Sequence, residues 1–133
     1  MRLKFALAFV LAAFAASAAD PAFLFDALRK PDYRSSWDKL MKEVSPTPDW
    51  LTQFAKNFDG AAGQMVPVAI DGKPFELSYV CKPAECAAHR FEVLFDAANK
   101  RAYGALGGKD NSPGYFGAPT PAMQEAMAKA LKG

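Results

Sequence analysis

From Val66 onward this chain reads in steps of two. Val66, Val68 and Ile70 alternate with other residues, and Phe75, Leu77, Tyr79 and Cys81 do the same. Between the runs stands Asp71-Gly72, a dipeptide suited to the positive φ angles of a two-residue hairpin turn. Phe91, Val93 and Phe95 repeat the alternation, and Tyr103 and Ala105 give a weaker fourth run. Strands joined by connections this short form an antiparallel meander. Pro67 has no N–H to give to a ladder, so the first strand belongs at an edge or at a bulge.

The flanking segments carry helical spacing instead. Tyr33, Trp37, Leu40, Met41 and Val44 fall at i, i+4, i+7, i+8 and i+11, one face of a helix that starts near Pro31 and stops at Ser45-Pro46. Thr47 is placed to cap a second helix, with Pro48 in its first position and Trp50, Leu51, Phe54 and Phe58 as its buried face. Asp59-Gly60 ends it. Before them, the stretch from Asp20 to Lys30 carries Phe23, Leu24, Phe25 and Leu28 without a pattern and fits one short helical turn. After the strands, Gly107 to Pro119 reads as a long loop. Thr120-Pro121 then starts a terminal helix, whose Met123, Met127 and Leu131 are spaced by four. The order predicts an α+β fold: a central antiparallel sheet, helices packed on one face, and the other face open to solvent or to a partner.

The amino terminus reads as an export signal. Arg2 and Lys4 precede an apolar run from Phe5 to Phe14, and Ala16-Ser17-Ala18 and Ser17-Ala18-Ala19 both offer small residues for cleavage before Ala19 or Asp20. Residues 1–19 are therefore expected to be a cleaved signal peptide and residues 20–133 a single domain. The apolar run is too short to span a bilayer well, and no later segment is long or apolar enough. A periplasmic or secreted location follows. Loss of Arg2 and Lys4 leaves fourteen basic residues beside fourteen acidic ones. That balance argues against a nucleic-acid binder, which shows a basic excess.

Export decides how CKPAEC is read. It holds both cysteines, Cys81 and Cys86. In an oxidising compartment a lone close pair reads as a disulfide. With His89 the only histidine and no third cysteine, a four-ligand zinc site is excluded, and nothing calls for another cofactor. The spacing is C-x4-C, not the C-x-x-C of thiol oxidoreductases, and no neighbouring base would lower a thiol pKa. No pair of carboxylates is brought together by strand or helix spacing. The chain is expected not to be an enzyme. Closing a ring of six residues is worth only about 2 kcal/mol by chain entropy, so rigidity is a better reason for the bond than stability. Pro83 fixes its own φ and restricts Lys82. A clamped ring carrying Lys82, Pro83, Ala84 and Glu85 is a preorganised projection. A plain disulfide turn fits the same residues, and composition leaves both readings open.

SYVCKPAECAAHRFEVLFDAANKRAYGAL resembles the inhibitor of vertebrate lysozyme (Ivy) family, whose signature is a disulfide-closed Cys-Lys-Pro-His-Asp-Cys loop between two strands. His89, Arg90 and Phe91 echo the polar-Arg-apolar continuation, and Pro48-Asp49-Trp50 echoes an upstream Pro-x-Trp element. The likeness runs from about Phe23 to Leu106. It implies a periplasmic protein whose loop plugs the active-site cleft of a lysozyme, and that homodimers occur. It also implies that some members act on lytic transglycosylases. Lysozymes work with two carboxylates, one held protonated, so a plug should offer them hydrogen-bond donors. Cys81, Lys82, Pro83 and Cys86 match the signature, and Glu85 stands for the aspartate. Ala84 departs from it at the histidine. Alanine has no side-chain donor, and losing a central anchor costs about 2–4 kcal/mol, roughly 30- to 1,000-fold in affinity. Two alternatives follow for a loop so altered: a regulator of endogenous lytic transglycosylases, or an envelope binding module that has lost inhibition of c-type lysozyme.

Overall fold

The computed structural model describes residues 22–133. The expected signal peptide, residues 1–19, lies outside them. Three helices come first: α1 (Leu24–Ala27), α2 (Pro31–Glu43) and α3 (Asp49–Asn57). Six strands follow: β1 (Ala61–Ala62), β2 (Val66–Ile70), β3 (Lys73–Cys81), β4 (Arg90–Asp96), β5 (Arg101–Gly107) and β6 (Gly114–Phe116), before α4 (Pro121–Lys132). Every pairing is antiparallel, in the order β1-β3-β4-β5-β6, with β2 also on β3. The α+β class and the meander are as the alternation predicts. Asp71 and Gly72, with φ of 51° and 74°, turn the chain between the paired Ile70 and Lys73. Pro67 lies in β2, which pairs only with β3, so its missing donor faces no partner strand.

The helices do not all lie on one face, as expected from sequence, but on both. Phe91, Val93 and Phe95 of β4 join Trp37 and Leu40 of α2, Leu51 and Phe54 of α3, and Leu24 in one buried cluster. Trp37 stands edge-on to Phe54 and Phe91, with centroids 5.9 and 6.0 Å away. Leu94, from the opposite face of β4, packs with Tyr103, Ala105, Phe75 and Ile70 under Met123, Met127 and Leu131 of α4. The expectation of an open second face is therefore corrected: α4 covers a large part of it. The physical reason lies in β4, where every residue from Phe91 to Asp96 is buried. A strand covered on both sides needs apolar residues in both registers, and Leu94 supplies the second. Burial of three large α4 side chains, each worth about 1.5–3 kcal/mol, holds the helix there.

Two local details also differ. Thr47 does not cap α3; its hydroxyl donates to the Val44 carbonyl (2.7 Å), and the helix begins after Pro48. The segment after β5 is not all loop, because β6 pairs with β5. Thr120 does cap α4, its hydroxyl oxygen accepting from the Met123 N–H (3.3 Å).

Candidate functional site

CKPAEC runs from the last residue of β3 into the connection that leads to β4. Cys81 is the last residue of β3, is buried, and pairs in register with Arg90. The Lys82 N–H donates to the His89 carbonyl (2.9 Å), adding one rung beyond the strands. The Glu85 N–H then donates to the Lys82 carbonyl (3.0 Å), closing a turn with Pro83 second and Ala84 third. Ala84 has a φ of 65°. That is the pattern of a type II turn, whose third position suits glycine or asparagine. The Ala88 and His89 N–H groups both donate to the Glu85 carbonyl (3.1 and 3.0 Å), so the descending limb is one helical turn. Cys81 and Cys86 are bonded to each other, with Cα atoms 4.8 Å apart. The ring is rooted in the core at Cys81, and Pro83, Ala84 and Glu85 are exposed at its tip.

Within the ring, Lys82 Nζ lies 2.7 Å from Glu85 Oε2. The hydrogen bond and charge of Lys82 hold the Glu85 carboxyl below its ordinary pKa. Both side chains are about half exposed, so the pair contributes little to stability. Its consequence is directional. The one cation of the ring is drawn across it onto Glu85 rather than projecting alone. His89 is exposed at the base of the ring, just before β4.

Two supports were not read from the sequence. The first is Gly108. It is buried against the descending limb, where an added Cβ would overlap the Ala88 carbonyl. Next to it, the Lys109 N–H donates to the Ala87 carbonyl (2.8 Å). The Gly107-Gly108 pair was the available signal, and it reads equally well as plain loop. The second is a stack at the root of the ring. Arg90, opposite Cys81, lays its guanidinium 3.7 Å from the centroid of Tyr79 and donates from Nε to Glu92 Oε1 (2.7 Å). Glu92 is 1% exposed. Burial raises its pKa to about 7, against the opposing pull of Arg90. Beside the ring, an open depression runs to the start of α3, between Trp50, Lys82, His89 and Leu106. No helix among the described residues is long and apolar enough to cross a membrane.

Comparison with known proteins agrees with the resemblance drawn from CKPAEC. A relative called "Inhibitor of vertebrate lysozyme", from Pseudomonas aeruginosa, is 25% identical over 122 residues, covering 82% of this chain and 77% of its own length. An uncharacterized protein of Yersinia pestis is 25% identical over 77 residues, 58% of this chain and 47% of its own. The family model described as "Inhibitor of vertebrate lysozyme (Ivy)" matches residues 32–133. That family is one of inhibitors rather than enzymes, in line with the absence of any catalytic pattern in the sequence. The match spans most of the chain, from α2 to the last residue, and this protein belongs to the Ivy family.

Proposed function

We propose that this chain inhibits a lysozyme or a related peptidoglycan-cleaving glycosidase, and that the tip of the Cys81–Cys86 ring enters the enzyme's cleft. The observation that carries the reading is the constraint on that tip. Pro83, Ala84 and Glu85 are exposed, while the disulfide, the Lys82–His89 rung and the Lys109–Ala87 hydrogen bond hold the backbone around them. A segment already fixed loses little conformational freedom on docking. The name of the Pseudomonas aeruginosa relative supports a lysozyme as the partner. In this reading residues 1–19 direct export, residues 20–133 form the inhibitory domain, and the protein works in the periplasm or outside the cell.

Ala84 favours one choice of target over another. A methyl group at the tip gives nothing to a pair of catalytic carboxylates. A lytic transglycosylase can work with a single carboxylate, so it demands less of that position. The test is inhibition by the oxidised protein against c-type, g-type and i-type lysozymes and a lytic transglycosylase, beside Ala84→His and a reduced sample. Inhibition of one enzyme by the oxidised form alone supports the plug and names its target. Equal inhibition by oxidised and reduced protein would remove the ring from the mechanism.

A further inference from the structure

The tip of the ring is too small to be the whole interface. A stable protein–protein contact buries about 800 Å² on each partner, from roughly 20–30 residues a side. The ring exposes three residues at its tip. Its methyl-bearing Ala84 offers no side-chain donor, and its one cation is already engaged with Glu85 at 2.7 Å. Specific binding must therefore draw on surface contiguous with the ring.

The depression beside the ring is such a surface. Asp49 and Trp50, in the first turn of α3, form one wall; Lys82 and His89, at the root of the ring, form another; Leu106 and Asn111 complete it. Trp50 is only partly buried: it packs against the core and also borders the depression. Tryptophan is among the residue types most enriched where interfaces are strongest. Asp49 is exposed and makes no salt bridge among the described residues. A carboxylate next to an indole suits a cationic side chain, which can lie on the ring and pair with the acid. Lys82 does not satisfy Asp49, because it is bound to Glu85.

We propose that this depression receives the lip of the target enzyme's cleft, with Trp50 and Asp49 seating an arginine or lysine of that lip. This rests on the plug reading and extends it. The ring identifies the cleft, and the depression determines which glycosidase is inhibited. Lys82 belongs both to the ring and to the lining of the depression, so the two surfaces are contiguous and a single docking pose can engage both.

The experiment compares inhibition constants of the oxidised protein, Asp49→Lys, Trp50→Ala and Glu125→Lys, with a reduced sample beside them. The target is the enzyme that the wild type inhibits best. Glu125 lies on α4, on the other side of the sheet, and serves as the control. Asp49→Lys should raise the inhibition constant tenfold or more, Trp50→Ala roughly thirtyfold or more, and Glu125→Lys less than twofold. Asp49 is a surface position, so its variant tests the idea even if Trp50→Ala unfolds. Protection of Trp50 fluorescence from acrylamide in the complex gives an independent reading, because Trp37 is buried throughout. Wild-type inhibition by both variants, with inhibition lost on reduction, would overturn the depression and leave the plug standing. No inhibition of any enzyme by the oxidised wild type would overturn both.

Discussion

β3 runs into a tight turn at each end, at Asp71-Gly72 and at Pro83-Ala84, and the two are built in opposite ways. At Asp71-Gly72 the residues suit the conformation. Both have positive φ, the second is glycine, and nothing lies within 4 Å of where its Cβ would be. The turn closes on local preference alone. At Pro83-Ala84 the third position of the turn is an alanine at φ 65°, which costs about 1 kcal/mol or more. That conformation is held from outside the turn: by the Cys81–Cys86 bond, by Lys109 bonded to Ala87, and by Gly108 packed under Ala88. A turn that forms by itself is a connection. A turn imposed by its surroundings has a shape worth maintaining, and such places cluster where binding occurs.

The root of the ring is where the largest effect is expected. Glu92 ionises at about 7 in the folded chain because burial outweighs the help of Arg90; in the unfolded chain its pKa is the ordinary 4.5. Between those values the folded state holds more protons than the unfolded one, so stability falls as pH rises. The shift amounts to about 3 kcal/mol by pH 8, at about 1.4 kcal/mol per unit. Urea unfolding at pH 4.5 and pH 8 should show Glu92→Gln with a smaller loss than the wild type across that range. Parallel curves would mean that the ionised form is accommodated at no cost. The second effect is steric. Gly108 does not need a positive φ, so Gly108→Ala isolates the overlap with the Ala88 carbonyl. A loss of about 2–3 kcal/mol in unfolding free energy is expected, typical of overpacking, together with weaker inhibition from a displaced ring. A variant as stable as the wild type would show that the limb yields freely.

How much of this was legible beforehand follows the same contrast. Asp71-Gly72 was read correctly because its signal is two adjacent residues. The alternation of β4 was read correctly because its face toward α2 and α3 is apolar at every second position, and that of β3 because Phe75 and Leu77 line the opposite face. The far face was missed because β4 reads as one alternation with Phe91, Val93 and Phe95 counted and Leu94 left over. Leu94 is the residue that α4 covers. In the site, the disulfide was legible from two close cysteines downstream of a stretch that reads as an export signal. Gly108 was not, because a glycine chosen for close approach looks the same as one chosen for a loop. The Arg90–Tyr79 stack was not either, since it joins residues eleven apart in sequence through their cross-strand arrangement. Nor was the half-buried state of Trp50, which helical spacing assigns wholly to the core.

Opening the ring separates its two roles. The bond should contribute about 2 kcal/mol to stability for a six-residue ring, whereas its effect on inhibition depends on how far it fixes the tip. A Cys81→Ser, Cys86→Ser double variant should still unfold cooperatively, with its midpoint lowered by about that amount, and should lose most inhibition. Thermal unfolding and inhibition measured on the same sample check both. A folded double variant that inhibits as well as the wild type would place the constraint in Gly108 and the hydrogen bonds instead.

The smallest effect tests the comparison most directly, because it exchanges the two turns' residues. Gly72→Ala puts a side chain at φ 74° in open space, so it should cost about 1 kcal/mol through backbone conformation alone. Ala84→Gly makes the reverse change at φ 65°. Glycine removes the native penalty but gives the unfolded chain more freedom, which is worth about 0.4–1 kcal/mol in the opposite sense. The disulfide limits that freedom by keeping the unfolded ring short. Ala84→Gly should therefore stabilise, by up to about 1 kcal/mol, and leave inhibition within twofold while the ring is oxidised. Urea denaturation of the pair gives the signs directly. Opposite signs mean that one turn is chosen by its residues and the other imposed on them. A destabilised Ala84→Gly would mean that the ring's shape is one alanine accepts without cost, and the contrast between the two ends of β3 would fall with it.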